Sequence, residues 1–385
     1  KKPAFSRLRT EKAGRKAMSR QSLFLKKIIA LGCAALLLLA CGCDMNMRVS
    51  RKAVGTAVSA ELKICCNSYY YHAFERVIRT IGSEYPDLKV TFTEVESSAD
   101  ILITDRMDDE RAKGFAALDN IADIAEFIPE LLYRSGGEII GLPLFLETDG
   151  VWIDKLPYIR ENAAAPCRFP QTFGSEFIRS NPMLTDDESL YWGFIAPLCI
   201  SRGGSAEEIG SGRLSEELSA AGLERLKKMA DSGILKKSRN PSDLFTSGKT
   251  AGWLCSYLDI IKIQQNMPLS SKLVFTPGIN AYENENINLI IRADTLFVSE
   301  KANRKAAEFF MTELFGDDNI LRLITDTHLP SAVKVNCKNH SLPEIFREFF
   351  SVLSSTAVNT VYVTDKRSDS AVSQLNSLID GIFSP

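Results

Sequence analysis

From Leu62 to Ile103 the chain switches between two hydrophobic periods, and this restricts the fold more than any other stretch. Leu62–Cys66 is a short apolar run of strand length. Phe74, Val77, Ile78 and Ile81 then recur at i, i+3, i+4 and i+7, which is one face of a helix. The helix must end at Tyr85, because the residue before a proline is pushed out of the helical region. Leu88–Val95 reads as a second strand and Ile101–Ile103 as a third. Strands separated by helices need crossover connections, so the sheet is parallel and carries helices on its faces.

The same alternation continues downstream. Ile121–Leu132 reads as a helix ended by Gly136-Gly137, and a strand begins at Glu138. Residues 169–232 read as mainly helical. Leu190, Phe194 and Pro197 share one helix, and Leu223, Leu226 and Met229 share another that Gly233 ends. Ala251–Tyr257 and Leu273–Pro277 read as strands, and Thr295–Val298 precedes a helix over Asn303–Leu314. Val372, Leu375, Leu378, Ile379 and Ile382 mark a last helix.

Upstream lies Lys26–Cys43, KKIIALGCAALLLLACGC: two lysines, an uncharged apolar run over 28–40, and a cysteine. That order is a positive n-region, an apolar h-region and a small-residue cleavage site. As a helix the 13 residues would span about 20 Å, short of the roughly 30 Å hydrocarbon core. A cleaved secretory signal is therefore expected over 18–40, not a permanent span. Leu38-Leu39-Ala40-Cys41 resembles a bacterial lipobox, in which Cys41 is lipidated and becomes the mature N-terminus. Two acyl chains hold a protein at a membrane where one does not. Residues 1–17 read as an upstream segment outside the native protein, with Met18 as the start, and 41–60 as a tether.

Removing residues 1–40 takes away 10 basic and 1 acidic residue, leaving 36 basic against 47 acidic, a charge of −11. Such a surface argues against nucleic acid, which is bound by neutralising phosphates. The remaining 345 residues exceed what a single core usually organises, so two lobes are expected. His72, His328 and His340 stand in no His-x-x-x-His or His-Glu-x-x-His pattern, and the sequence contains no Gly-x-Ser-x-Gly elbow. Catalysis is not expected, and neither a cofactor nor a metal is called for. Cys65, Cys66, Cys167, Cys199, Cys255 and Cys337 match no zinc spacing and read as small core residues.

Several fragments, in order, then become specific. They are Tyr85-Pro86-Asp87-Leu88-Lys89-Val90, Ala99-Asp100-Ile101, Glu138-Ile139-Ile140-Gly141-Leu142-Pro143 and Trp152-Ile153-Asp154-Lys155-Leu156. Phe245-Thr246-Ser247-Gly248-Lys249-Thr250-Ala251, Ala306-Ala307-Glu308-Phe309-Phe310 and Leu329-Pro330-Ser331 follow. Together they resemble the extracellular solute-binding proteins of bacterial ABC importers, above all the sugar-binding group typified by maltose-binding protein. Departures occur at Phe173, Asp154 and Tyr257, where the family usually has Trp, Asn and Trp.

The resemblance implies an α/β, two-lobed periplasmic-binding-protein fold (type II), each lobe a mainly parallel sheet flanked by helices, with a hinge between. The expected lobes are 61–148 with 272–326, and 149–271 with 327–385. It further implies a monomeric capture protein held by its lipid on the outer face of the cell membrane. That protein would take a small solute, a sugar or oligosaccharide first, and pass it to ABC permease subunits. Ligands of such sheets sit beyond the carboxyl ends of strands. That rule nominates Asn67, Tyr69 and Tyr70 after the first strand, Asp149 at the first crossing, Tyr257, and Arg292 with Asp294; Trp192 adds an aromatic face on a helix. Trp152 and Trp253 lie in apolar strands and read as core. Alternatives within the fold are a polyamine, a ferric ion or a peptide. A diverged lipoprotein acting as sensor partner or adhesin is a further one.

Cys41 is the residue most directly open to test. Expressed in a bacterial host fed labelled palmitate, the full chain should incorporate label. Cys41→Ser should abolish incorporation and Cys43→Ser should not; the reverse pattern would move the anchor to Cys43.

Overall fold

A computed structural model describes residues 59–119, 126–154, 182–250, 252–264, 267, 273–276, 287–335 and 358–383. Cys41, the signal segment, the tether before Ser59, and the departure at Phe173 lie outside them, as do Cys167, Cys337 and His340.

Among the described residues eleven strands form one continuous sheet. They are β1 (Ala60–Cys65), β2 (Leu88–Phe92), β3 (Ile101–Thr104), β4 (Tyr133–Ser135), β5 (Glu138–Asp154), β6 (Met183–Thr185), β7 (Leu235–Lys237), β8 (Gly252–Ser256), β9 (Leu273–Thr276), β10 (Ile287–Val298) and β11 (Val358–Tyr362). The main order is β2-β1-β3-β10-β5-β8-β6-β7. β1 pairs with β2 and β3 in parallel, and β6 pairs in parallel with β7 and β8. Between these two parallel groups stand β5 and β10, antiparallel to each other and to their outer neighbours β8 and β3.

The first strands and helix follow the sequence expectation. Phe74, Val77 and Ile81 on helix Tyr71–Glu84 are buried, and the helix stops where Pro86 requires it. The two central strands are long because each belongs to both halves of the sheet. β5 spans 17 residues, pairing with β4 near its start and with β8 and β9 near its end. It begins after a tight turn in which Gly136 and Gly137 take φ of +59° and +92°, a region costly for any residue with a Cβ. β10 starts beside β11 and ends beside β3, with a bulge between Asp294 and Thr295. Among the described residues three buried clusters result. The first runs from Leu62, Phe74, Leu142 and Phe310 through to Trp152, Trp253 and Phe275, the second gathers Trp192, Ile195, Leu226 and Ile379, and the third joins Leu102, Tyr133 and Phe297.

Several sequence expectations need correction. Described residues of the proposed helix 121–132 form a 3-10 turn, Pro129–Leu131, that leads into β4; Leu131 and Leu132 are buried because this turn packs on the sheet. The strand β6 runs through the stretch read as helical, and three residues are too few to show a period. β9 pairs with Val151–Asp154 at the end of β5. The segment after the helix ending at Thr327 packs on β5: Leu146 donates to Pro330 O at 2.7 Å, and Ser331 bridges to Phe145. The sheet is mixed at its centre because both crossing strands run against their neighbours.

Candidate functional site

Glu147-Thr148-Asp149 sits in the middle of β5, between the apolar runs Leu142–Leu146 and Val151–Trp152, and all three residues are buried. A carboxylate taken out of water is costly unless it is paired or protonated. Strand alternation puts Glu147 and Asp149 on one face and Thr148 on the other, where its hydroxyl donates to Ile290 O at 2.7 Å. β10 answers with Arg292, set opposite Glu147 in the register. Its Nη2 donates to Asp149 Oδ2 at 2.5 Å, and its Nη1 lies 3.8 Å from Asp105 Oδ2 at the end of β3. Glu147 turns elsewhere: its Oε1 accepts from the backbone N–H of Tyr257 at 2.8 Å and of Leu258 at 3.3 Å, at the start of helix Tyr257–Gln264. An acceptor oxygen there satisfies donors that the helix leaves open.

On the second half, Asp187–Leu190 leads into a π-helical turn, Tyr191–Ile195. Trp192 projects from that turn. Its Nε1 donates to Glu188 Oε1 at 2.8 Å, and the guanidinium carbons of Arg292 and Arg367 lie 4.6 and 4.4 Å from its ring centroid. Gly193 is needed beside it, because a Cβ there would come within 2.6 Å of Leu254 Cδ1 and 3.3 Å of Asp149 Cβ. Arg367 is held by Asp365 through Nε at 3.0 Å and Nη2 at 2.7 Å, and it also donates to Glu188. On the first half, the Tyr70 hydroxyl donates to Asp294 Oδ2.

The eight nominated residues divide clearly. Asp149, Arg292 and Trp192 meet in one cluster, and Tyr70 and Asp294 form a clasp on the same strand face. Tyr257 joins through its backbone and packs its ring 5.8 Å from Trp152. All six are buried, so in this conformation their side chains touch protein and not an open cleft. Asn67 is exposed and uses its side chain to cap the turn Ser68–Tyr70, accepting from Tyr69 N at 3.0 Å. Tyr69 is half-buried and donates to Thr327 O at 2.9 Å. Glu147, Asp105, Glu188, Asp365 and Arg367 were not nominated. Glu147 had a signal, since it is a second acid two residues before Asp149 in an apolar strand. Arg367 had none, since Asp365-Lys366-Arg367 reads as a solvated run.

The cluster is dominated by acids. Burial raises Asp149 to about 6 despite the opposing pull of Arg292. Burial, with Asp105 nearby, raises Asp294 to about 7, while Tyr70, Arg292 and Lys262 pull the other way. Burial also lifts Glu147 well above the usual carboxylate range. Glu188 is the exception. Burial pushes it up, but Arg367 and Arg292, with hydrogen bonds from Arg367 and Trp192, leave it below its ordinary value. The site therefore offers carboxylate acceptors, two guanidinium groups and one indole. Among the described residues no His, Cys, Asp and Glu are grouped to hold a metal. A water-sized pocket beside Asp105, Thr295 and Asp365 holds about 10 Å³.

No protein-family model matches the sequence, and no curated protein is similar enough to match it. Solved structures do match. The GacH receptor of Streptomyces glaucescens, described unliganded and with acarbose, superposes at TM-score 0.64 with 14% identity, over 84% of this chain and 94% of that one. The RafE binding protein in complex with raffinose gives 0.62 and 14%, over 84% and 100%. The maltose–maltodextrin binding protein of Alicyclobacillus acidocaldarius gives 0.64 and 13%, over 84% and 95%. This chain has the two-lobed α/β fold of those solute-binding proteins. No helix among the described residues is long and apolar enough to cross a membrane.

The raised carboxyls tie stability to pH. Unfolded, an Asp titrates at about 3.9, so Asp149 and Asp294 hold protons more readily in the folded state. The sign follows: their contribution is complete below about pH 4 and is lost as pH rises through about 6 and 7. Tm measured from pH 5 to 8 should fall, and Asp294→Asn should flatten the upper part of that fall. A parent profile that rises across this range would contradict the assignment.

Proposed function

We propose that this chain is the lipid-anchored binding component of an ABC import system. It captures a small solute, foremost a sugar or oligosaccharide, by closing two lobes about a hinge, and delivers it to the membrane permease. The observation that carries this reading is the cluster at the crossing of β5 and β10, where a two-lobed protein holds solute. There planar acid and guanidinium groups stand beside an indole. Adjacent sugar hydroxyls are bridged by planar polar groups, and C–H faces pack on aromatic rings. Proteins of the same fold have been described with acarbose, raffinose and stachyose.

In this reading the first lobe comprises residues up to Leu146 together with the end of β10 and the segment to Val335. The second comprises the remainder of β5, β6–β9, the start of β10, and residues 358–383. Solute favours the closed state by the contacts it makes there and not in the open state. Because six of the eight nominated residues are buried, opening must precede entry. Glu188, with 43% of its side chain exposed, and Asp105, 51% exposed, stand at the mouth and make first contact. A non-enzymatic role suits the binding proteins that share the fold.

One observation favours a second solute class. Asp105, Glu147, Asp149, Asp186, Glu188 and Asp294 outnumber Arg292 and Arg367 about the site, which suits a cationic solute such as a polyamine.

Thermal shift on residues 44–385 separates the two. Raffinose or a maltodextrin should raise Tm by an amount set by concentration over Kd, and Glu188→Ala should weaken binding about tenfold, the value of one charged hydrogen bond. A shift with spermidine and none with any sugar would replace the sugar by a polyamine. No shift with either would end the transport reading.

A further inference from the structure

The segment 363–369 joins β11 to the last helix, Asp369–Phe383, and touches both halves of the molecule. Toward the first half, Met107 N donates to Asp365 O at 3.1 Å, Arg106 Nη2 donates to Asp369 Oδ1 at 2.7 Å, and Lys366 Nζ donates to Arg134 O at 3.0 Å. Toward the second half, Lys366 N donates to Gly210 O at 2.7 Å. The approach there is so close that a Cβ on Gly210 would lie 2.4 Å from Thr364 O. Between these two sets of contacts the strap carries Arg367, whose guanidinium lies over Trp192 and Tyr191 and pairs with Glu188.

We infer that Arg367 is a positioning residue for the solute site, and that the strap 363–369 couples movement of the first lobe to the exposure of Trp192. The inference rests on the reading of Trp192 as part of a solute site. Among the described residues the strap's ties to the first half are made at Thr364, Asp365, Lys366 and Asp369, all within three residues of Arg367. When the first lobe swings away, Asp365 and Asp369 are drawn with Arg106 and Met107. Asp365 grips Arg367 by two oxygens, so the guanidinium follows. That motion uncovers the indole and releases one partner of Glu188, the two groups a solute would use. With the lobes together, Arg367 reseats and the ring is covered. Arg367 thus stands in for solute in the empty closed state and must be displaced by it, which links affinity to lobe geometry. Other charged groups facing Arg367 are few: Asp365 on its own strap, and Glu188 on Asp187–Leu190.

The test uses the full chain labelled with 5-fluorotryptophan. Its three tryptophans give three fluorine resonances, and Trp192 is assigned by its loss in Trp192→Phe. Arg106→Ala and Asp369→Asn cut the ion pair between strap and first half without entering the core, since Asp369 is 81% exposed. Both should shift the Trp192 resonance and enlarge its H2O–D2O isotope shift, leaving Trp152 and Trp253 in place. Arg367→Lys keeps the charge but loses the planar stack, and should move Trp192 in the same direction. A Trp192 resonance unchanged in all three variants overturns the coupling. If raffinose and spermidine move no resonance while the variants move Trp192, the coupling holds and the solute reading fails. If solute moves Trp192 while the variants leave it fixed, the solute reading holds and the coupling fails.

Discussion

The ion pair between Arg292 and Asp149 joins β10 to β5 where both strands pass between the halves of the sheet. Neither side chain is more than 3% exposed, so each is tolerable only because of the other. A buried pair of this kind adds little net stability against an apolar replacement, but losing one partner costs about 3–5 kcal/mol. Its value lies in specificity: it fixes which faces of the crossing strands meet, and around it Trp192, Asp105 and Glu147 take their places.

Glu147 illustrates how one crossing serves two purposes. Its carboxylate caps helix Tyr257–Gln264 in the second half, yet it stands in the strand that begins in the first. Thr148 and Asp149 behind it reach β10. The three consecutive polar residues thereby tie the helix Tyr257–Gln264 and the two central strands together. The C-terminal strap adds a third crossing and brings a second arginine to the same indole.

Where a segment was long and periodic, its structure was legible from residues alone. The helix Tyr71–Glu84 follows from Phe74, Val77 and Ile81, and β1 to β3 from their apolar runs. β4, β6 and β7 are three residues each and carry no readable period. Ile121–Leu132 misled because buried Leu131 and Leu132 owe their burial to a turn and a bridge, not to a helix face. Asp149, Arg292 and Asp294 were nominated as residues beyond strand ends, yet they stand inside β5 and β10, where buried charges demand partners. Their actual partners were not visible: Asp149 and Arg292 are 143 residues apart, and Tyr70 and Asp294 are 224 apart. Arg367 was missed because a charge run beside an aspartate looks solvated until the fold buries it.

Hinge closure about this cluster is the claim on which the account stands, and the distance between lobes reports it directly. Spin labels carried on unnatural amino acids at Ser83 and Lys227, exposed on the first and second lobes, leave the cysteines untouched. Pulsed dipolar spectroscopy should show the distance distribution shorten and narrow when saturating raffinose, or spermidine if the solute is cationic, is added. A distribution that stays the same with every sugar and polyamine would contradict a solute-driven hinge.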